Sequence, residues 1–92
     1  MLNDPDCVRL RQGVPTRVEI AGERYRFGIT STDDQAGTVH ITVLSGAGLD
    51  GFDVAPDGVV TVAGRRWQAI EVDLGRRDAP ARVRLQRVTD PA

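Results

Sequence analysis

The chain has 92 residues and a formal net charge of −1, and each of its 12 basic residues is an arginine. That length makes one domain near the small end of what folds without metal or disulfides, and the near-neutral balance argues against a general polyanion binder. With no lysine there is neither an internal Schiff base with pyridoxal phosphate nor a P-loop lysine, and with Cys7 as the single cysteine there is neither an internal disulfide nor a cysteine zinc cluster.

The opening residues, MLNDPDCVRL, contain no basic segment followed by an apolar run, and no later apolar run approaches transmembrane length. The expectation is a cytoplasmic protein with no membrane partner. From Cys7 the chain alternates: CVRLRQG sets Val8 and Leu10 on one face of a strand and Arg9 and Arg11 on the other. Asp4 and Asp6 precede Cys7, and carboxylates disfavour a thiolate, so the thiol reads as an inert edge group.

TRVEIAGERYRFGIT reads as a hairpin. Gly22 suits the first central position of a type II′ turn with Glu23 second, which sets Ile20 opposite Tyr25 and Val18 opposite Phe27, all four on one face. GTVHITVLSG is the next strand, with Val39, Ile41 and Val43 in phase and His40 between Thr38 and Thr42 on the polar face.

SGAGLDG follows at residues 45 to 51, and its last six residues fit G-x-G-x-x-G, with Glu71 about 20 residues further on where a ribose-binding carboxylate belongs. A dinucleotide site needs a helix after those glycines, whose amides hold the pyrophosphate. FDVAPDGVV follows instead. Pro56 lacks an N–H and Asp57-Gly58 makes a turn, so the stretch reads as a loop and no nucleotide or other cofactor is expected. SGAGLDGFD also resembles one calcium-binding nonapeptide, but no second repeat follows, and Asp50, Asp53 and Asp57 lack the EF-hand spacing. Solvated loop carboxylates account for them.

VVTVAGRRWQAIEVDL repeats the hairpin, with Gly64 and Arg65 in the turn, Val62 facing Trp67 and Val60 facing Ala69. The apolar phase then moves to Ile70, Val72 and Leu74, which a β-bulge near residues 69 and 70 reconciles. ARVRLQRV closes the chain with Val83 and Leu85 on one face and Arg82 and Arg84 on the other. VEIAGERYR and VTVAGRRWQ share Val, Ala-Gly, Arg and an aromatic at the same offsets. A duplicated half-domain explains that, and so does the common chemistry of hairpin turns.

These segments define an all-β antiparallel domain, 1–92, with an ordered core at about 8–88: a small sandwich or flattened barrel of about six to seven strands. Trp67, Tyr25, Phe27 and Phe52 are its only aromatics, so the core is thin and a partner subunit is an attractive cover for bare strands. VRLRQGVP, DGVVTVAGRRWQAIEV and ARVRLQRV together resemble the small uncharacterised β-domain proteins common in actinobacteria. Those carry an LRxGVP-like opening, then a glycine, a tryptophan and a closing x-L-x-R-V strand. The resemblance runs from Val8 to Val88 and implies no activity and no catalytic residues.

The leading expectation is a non-catalytic interaction or assembly module, homodimeric, that binds a protein partner through a sheet edge or face. Its rivals are an accessory protein or enzyme in a biosynthetic pathway using Cys7 or His40, and a small-ligand binder with a pocket near Trp67 and Tyr25. A Cys7–His40 dyad needs the two to meet in space, and as the only histidine His40 has no metal-binding companion. Arg9, Arg11, Arg82 and Arg84 form the remaining candidate surface, for an anion or a partner. If the first and last strands pair, they make an arginine ladder that needs acids or an anion between its members, with Glu19, Glu71 and Asp73 available as counter-charges. With no interleaved aromatics to stack bases, nucleic acid is a disfavoured partner.

Overall fold

The computed structural model describes residues 6–46, 48–76 and 78–88. Eight strands follow one another: β1 (Cys7–Arg11), β2 (Thr16–Ile20), β3 (Glu23–Asp33), β4 (Thr38–Ser45), β5 (Gly48–Val54), β6 (Val59–Val62), β7 (Arg65–Asp73) and β8 (Arg82–Arg87). They form two antiparallel sheets of four, in the orders β1-β8-β7-β6 and β2-β3-β4-β5. The sheets stack as a sandwich and do not close into a barrel. No helix among the described residues is long and apolar enough to cross a membrane.

Period-two alternation decides which side of each strand is inside. β1 buries Val8 and Leu10 between exposed neighbours, β4 buries Val39, Ile41 and Val43, and β8 buries Val83 and Leu85. The largest fully buried side chains are Trp67 and Phe27, one from each sheet, with Ile20, Ile41 and Leu85 around them.

The strand beginning at Gly48 corrects the loop expected there. β5 pairs with β4 from Ser45↔Gly48 to Val39↔Val54, so the glycine fingerprint lies in a hairpin. No helix follows Gly51. The count of eight exceeds the expected six to seven by this strand.

Both Ala-Gly hairpins also differ from expectation in register. Val18 faces Tyr25 and Ile20 faces Glu23 in the first, and Val60 faces Trp67 and Val62 faces Arg65 in the second. The central residues are Ala21 and Gly22 (φ 53° and 83°) and Ala63 and Gly64 (φ 56° and 73°). Positive φ at both positions is what a type I′ turn requires. The alanines accept a left-handed conformation that glycine-first reasoning assigned one residue later, and each partner moves by two. A shift of two preserves the face of every side chain, so Val18, Ile20 and Phe27 are buried as expected.

The bulge expected in β7 is present between Ala69 and Glu71, and β3 carries another between Ile29 and Ser31. Ile70 sits at the bulge and is 39% exposed, whereas Val72 and Leu74 pack against the core. Beyond each bulge an aspartate closes the strand: Asp33 Oδ1 accepts the Gln35 and Ala36 N–H groups, and Asp73 Oδ1 accepts that of Gly75.

The two sheets are therefore built from the same parts in the same order. Each has an Ala-Gly hairpin, a long second strand with a bulge, and two further antiparallel strands. In one they run β2-β3-β4-β5, in the other β6-β7-β8-β1, so the second unit spans the two ends of the chain. This is the arrangement a duplication followed by circular permutation produces. The buried aromatic two positions before the bulged pair is Phe27 in one unit and Trp67 in the other. Tyr25, which matches Trp67 in distance from the turn, is only partly buried.

Candidate functional site

The outward side chains of β2 to β5 form rows across the strands. Arg17, Arg26, Leu44 and Leu49 make one row; Gly28, Thr42 and Gly51 make the next; Ser31, His40 and Asp53 make the third. Leu44 and Leu49 are 44% and 67% exposed, and with Val14, at 54%, they line a groove of about 340 Å³ beside Gly28 and Thr42. Three of the five large exposed apolar side chains among the described residues thus share one groove. Surface apolar groups that gather in this way mark contact sites more than scattered ones do.

Charge is segregated along the same face. Arg17, Arg24 and Arg26 gather at one end, with Glu19 directly across from Arg24. Asp33, Asp34 and Asp53 line the other end. Tyr25 stands near the positive end, and its hydroxyl donates to Glu23 Oε2 at 3.0 Å. That hydrogen bond, reinforced by the carboxylate's charge, raises the phenol's pKa above its ordinary value of 10.0.

His40 lies in the third row. Its Nδ1 is 2.8 Å from Asp53 Oδ1, across the β4–β5 pairing. The ring extends over Gly51, where a Cβ would stand 2.9 Å from Nε2, so a glycine there leaves the imidazole its place. Both ring nitrogens lie on the β5 side. Ser31, though directly across on β3, is on the opposite flank, and the row does not form a nucleophile–histidine–carboxylate chain. Sequence reasoning missed the His40–Asp53 pair because β5 was read as a loop, which left Asp53 without a register.

Cys7 is exposed on the outer face of the β1 sheet, while His40 is on the outer face of the other sheet. The sandwich separates them, and no Cys7–His40 dyad forms. Trp67 is fully buried in β7, whereas Tyr25, on β3 of the other sheet, is partly buried and borders an open depression with Arg17, Val18 and Leu44. Among the described residues no group of three His, Cys, Asp or Glu side chains is placed to hold a metal ion.

The four singled-out arginines do come together. β1 pairs with β8, setting Arg9 across from Arg84 and Arg11 across from Arg82. On the far side of β8, Glu71 faces Arg84 and Asp73 faces Arg82. Arg84 Nη2 is 3.1 Å from Glu71 Oε2, and among the described residues this is the ladder's one ion pair. Glu19, an expected counter-charge, is on the opposite sheet. The arginines and Glu71 border an open depression of about 400 Å³.

These features define a small two-sheet β-sandwich whose outer faces, rather than any internal cavity, carry its exposed apolar groups and its concentrated charge. The chain belongs to a family of unknown function, DUF6406, which it matches over residues 5–89. No curated protein and no solved structure matches it.

Proposed function

We propose that the protein is a non-catalytic assembly module that forms a homodimer through the outer face of the β2-β3-β4-β5 sheet. The observation that carries this reading is the self-complementarity of that face. The Leu44–Leu49 ridge lies one pleat repeat from the Gly28–Thr42 floor, which the His40 ring borders over Gly51. A twofold axis lying in the face between ridge and floor seats each ridge in the other copy's trough. The same operation brings the end of one copy that carries Arg17, Arg24 and Arg26 to the end of the other that carries Asp33, Asp34 and Asp53, so positive meets negative. An apolar centre with charged ends is the usual layout of a specific interface.

Sedimentation equilibrium on the intact chain tests the reading. A dimer is expected, reduced to monomer by Leu49→Asp without loss of the β-sheet circular dichroism spectrum. Replacing Arg24 by Asp should weaken the dimer. A wild-type protein that is monomeric at all concentrations, or a dimer indifferent to Leu49→Asp, would overturn the proposal.

A further inference from the structure

The other sheet carries a different surface. Arg9 and Arg84, and next to them Arg11 and Arg82, are like charges set directly across an antiparallel pair, an arrangement that destabilises a sheet. Four guanidinium groups face two carboxylates, Glu71 and Asp73, and Asp73 is engaged by the Gly75 N–H. Among the described residues Arg9, Arg11 and Arg82 make no side-chain ion pair. The open depression between them therefore has an excess of positive charge in a chain whose net charge is −1.

The spacing of these groups narrows the ligand. Arg9 and Arg11 are alternate residues of one strand, as are Arg82 and Arg84. Same-face side chains of any extended chain recur at about 6.6–6.8 Å, and cross-strand partners are about 4.5–5.5 Å apart. An extended segment with carboxylates at alternating positions has the same repeat as the ladder. One carboxylate is then held between Arg9 and Arg84 and the next between Arg11 and Arg82, where guanidinium forks match carboxylate geometry. Single-stranded nucleic acid fits less well, since such sites stack bases on aromatic rings. Trp67, the one aromatic residue of this sheet, points into the core.

We propose that the arginine ladder is a docking site for an extended acidic segment of a protein partner, with Asp or Glu at every second position. The inference rests on the interaction-module reading but not on the dimer, because the two surfaces lie on opposite sheets.

Fluorescence anisotropy tests it with a labelled octapeptide of alternating glutamate and threonine. The controls are an octapeptide of the same composition with its glutamates in one block, a short oligodeoxythymidine, and pyrophosphate as competitor. The alternating peptide should bind best, and added salt should weaken it. Arg9→Gln with Arg11→Gln should lower its affinity about tenfold or more, at about three- to fivefold per arginine. Glu71→Gln should raise the affinity about two- to fivefold by freeing Arg84. That gain is informative even if the arginine variants fold poorly. Equal binding of the two peptides, tighter binding of oligodeoxythymidine or pyrophosphate, no measurable binding, or a Glu71→Gln protein that binds no tighter would each overturn the proposal. Molar mass recorded on the same samples separates the two claims. A monomer that binds the peptide sinks only the dimer, and a dimer that does not bind it sinks only the ladder.

Discussion

Replacing Trp67 by alanine tests the core most directly. The side chain is fully buried in β7, across from Val60 on β6 and from Arg87 on β8. Truncating a buried tryptophan costs about 3–5 kcal/mol, because the transfer energy is lost and the cavity relaxes only in part. A domain of this length is expected to have about 5–14 kcal/mol of stability in total. For so small a domain each kcal/mol moves Tm by roughly 4–8 °C. Trp67→Ala should therefore melt at least about 12 °C below the parent, or be unfolded at room temperature. Phenylalanine makes the sharper comparison. Trp67 Nε1 is buried with no hydrogen-bond partner among the described residues, and an orphaned donor costs about 1–3 kcal/mol. Trp67→Phe removes that donor and gives up roughly 50 Å² of apolar burial, or about 1.3 kcal/mol at 25 cal/mol per Å². The two terms nearly cancel, so Trp67→Phe should melt within about 8 °C of the parent. Thermal melts followed by far-ultraviolet circular dichroism are the assay, because both variants lose the only tryptophan fluorophore. If Trp67→Ala melts with the parent, or Trp67→Phe falls as far as Trp67→Ala, the account of this core is wrong.

Other consequences are as direct. Ala21 and Ala63 hold left-handed backbone angles, which asparagine tolerates better than alanine. Asparagine at each position should add up to about 1 kcal/mol, a part of the roughly 1–2 kcal/mol that a left-handed conformation costs an ordinary residue, and chemical denaturation of the double variant should show the sum. The Glu23 hydrogen bond raises the pKa of Tyr25, so an absorbance titration of this sole tyrosine should give a midpoint above 10.0, and Glu23→Gln should lower it. The sign follows from linkage. A phenol pKa raised by folding adds stability that is fully present below the unfolded value and lost as pH rises through the folded one. Any gain from this contact should thus disappear only on the alkaline side.

Much of the fold was legible in the chain because alternation is a robust signal. V-R-L-R near one end and R-V-R-L near the other set apolar and arginine side chains on opposite faces whatever the partner strand, so the ladder followed once β1 and β8 paired. The hairpin faces survived a wrong turn assignment because the error was two residues, a full pleat period. β5 was hidden for a physical reason. Gly48 and Gly51 are turn formers, and only Phe52 and Val54 have the inward apolar phase, so half of the strand lacks the alternating signal. The bulge in β7 showed itself as a change of apolar phase from Ala69 to Val72. The bulge in β3 did not, because Thr30, Ser31 and Thr32 are all polar and mark no phase. Without β5 there was no way to set Asp53 beside His40. The Val14–Leu44–Leu49 groove was likewise illegible, because Leu49 had no strand to belong to.

The way one sheet spans both chain ends bears on how the protein comes together during synthesis. β2 to β5 pair only with their sequence neighbours, so that sheet needs nothing made after Val54. The other sheet pairs Arg11 with Arg82 and Cys7 with Gln86. β1 is made before the other seven strands, and it has no sheet to join until β8 follows. Contacts so distant in sequence form late and slowly. Until then Val8 and Leu10 lack their partner strand while the second sheet presents the inner face meant to pack against them. β8, made after the other seven strands, is the one that joins β1 to the rest of its sheet, so a chain stopped before Arg82 would hold one whole sheet and the unclosed parts of another.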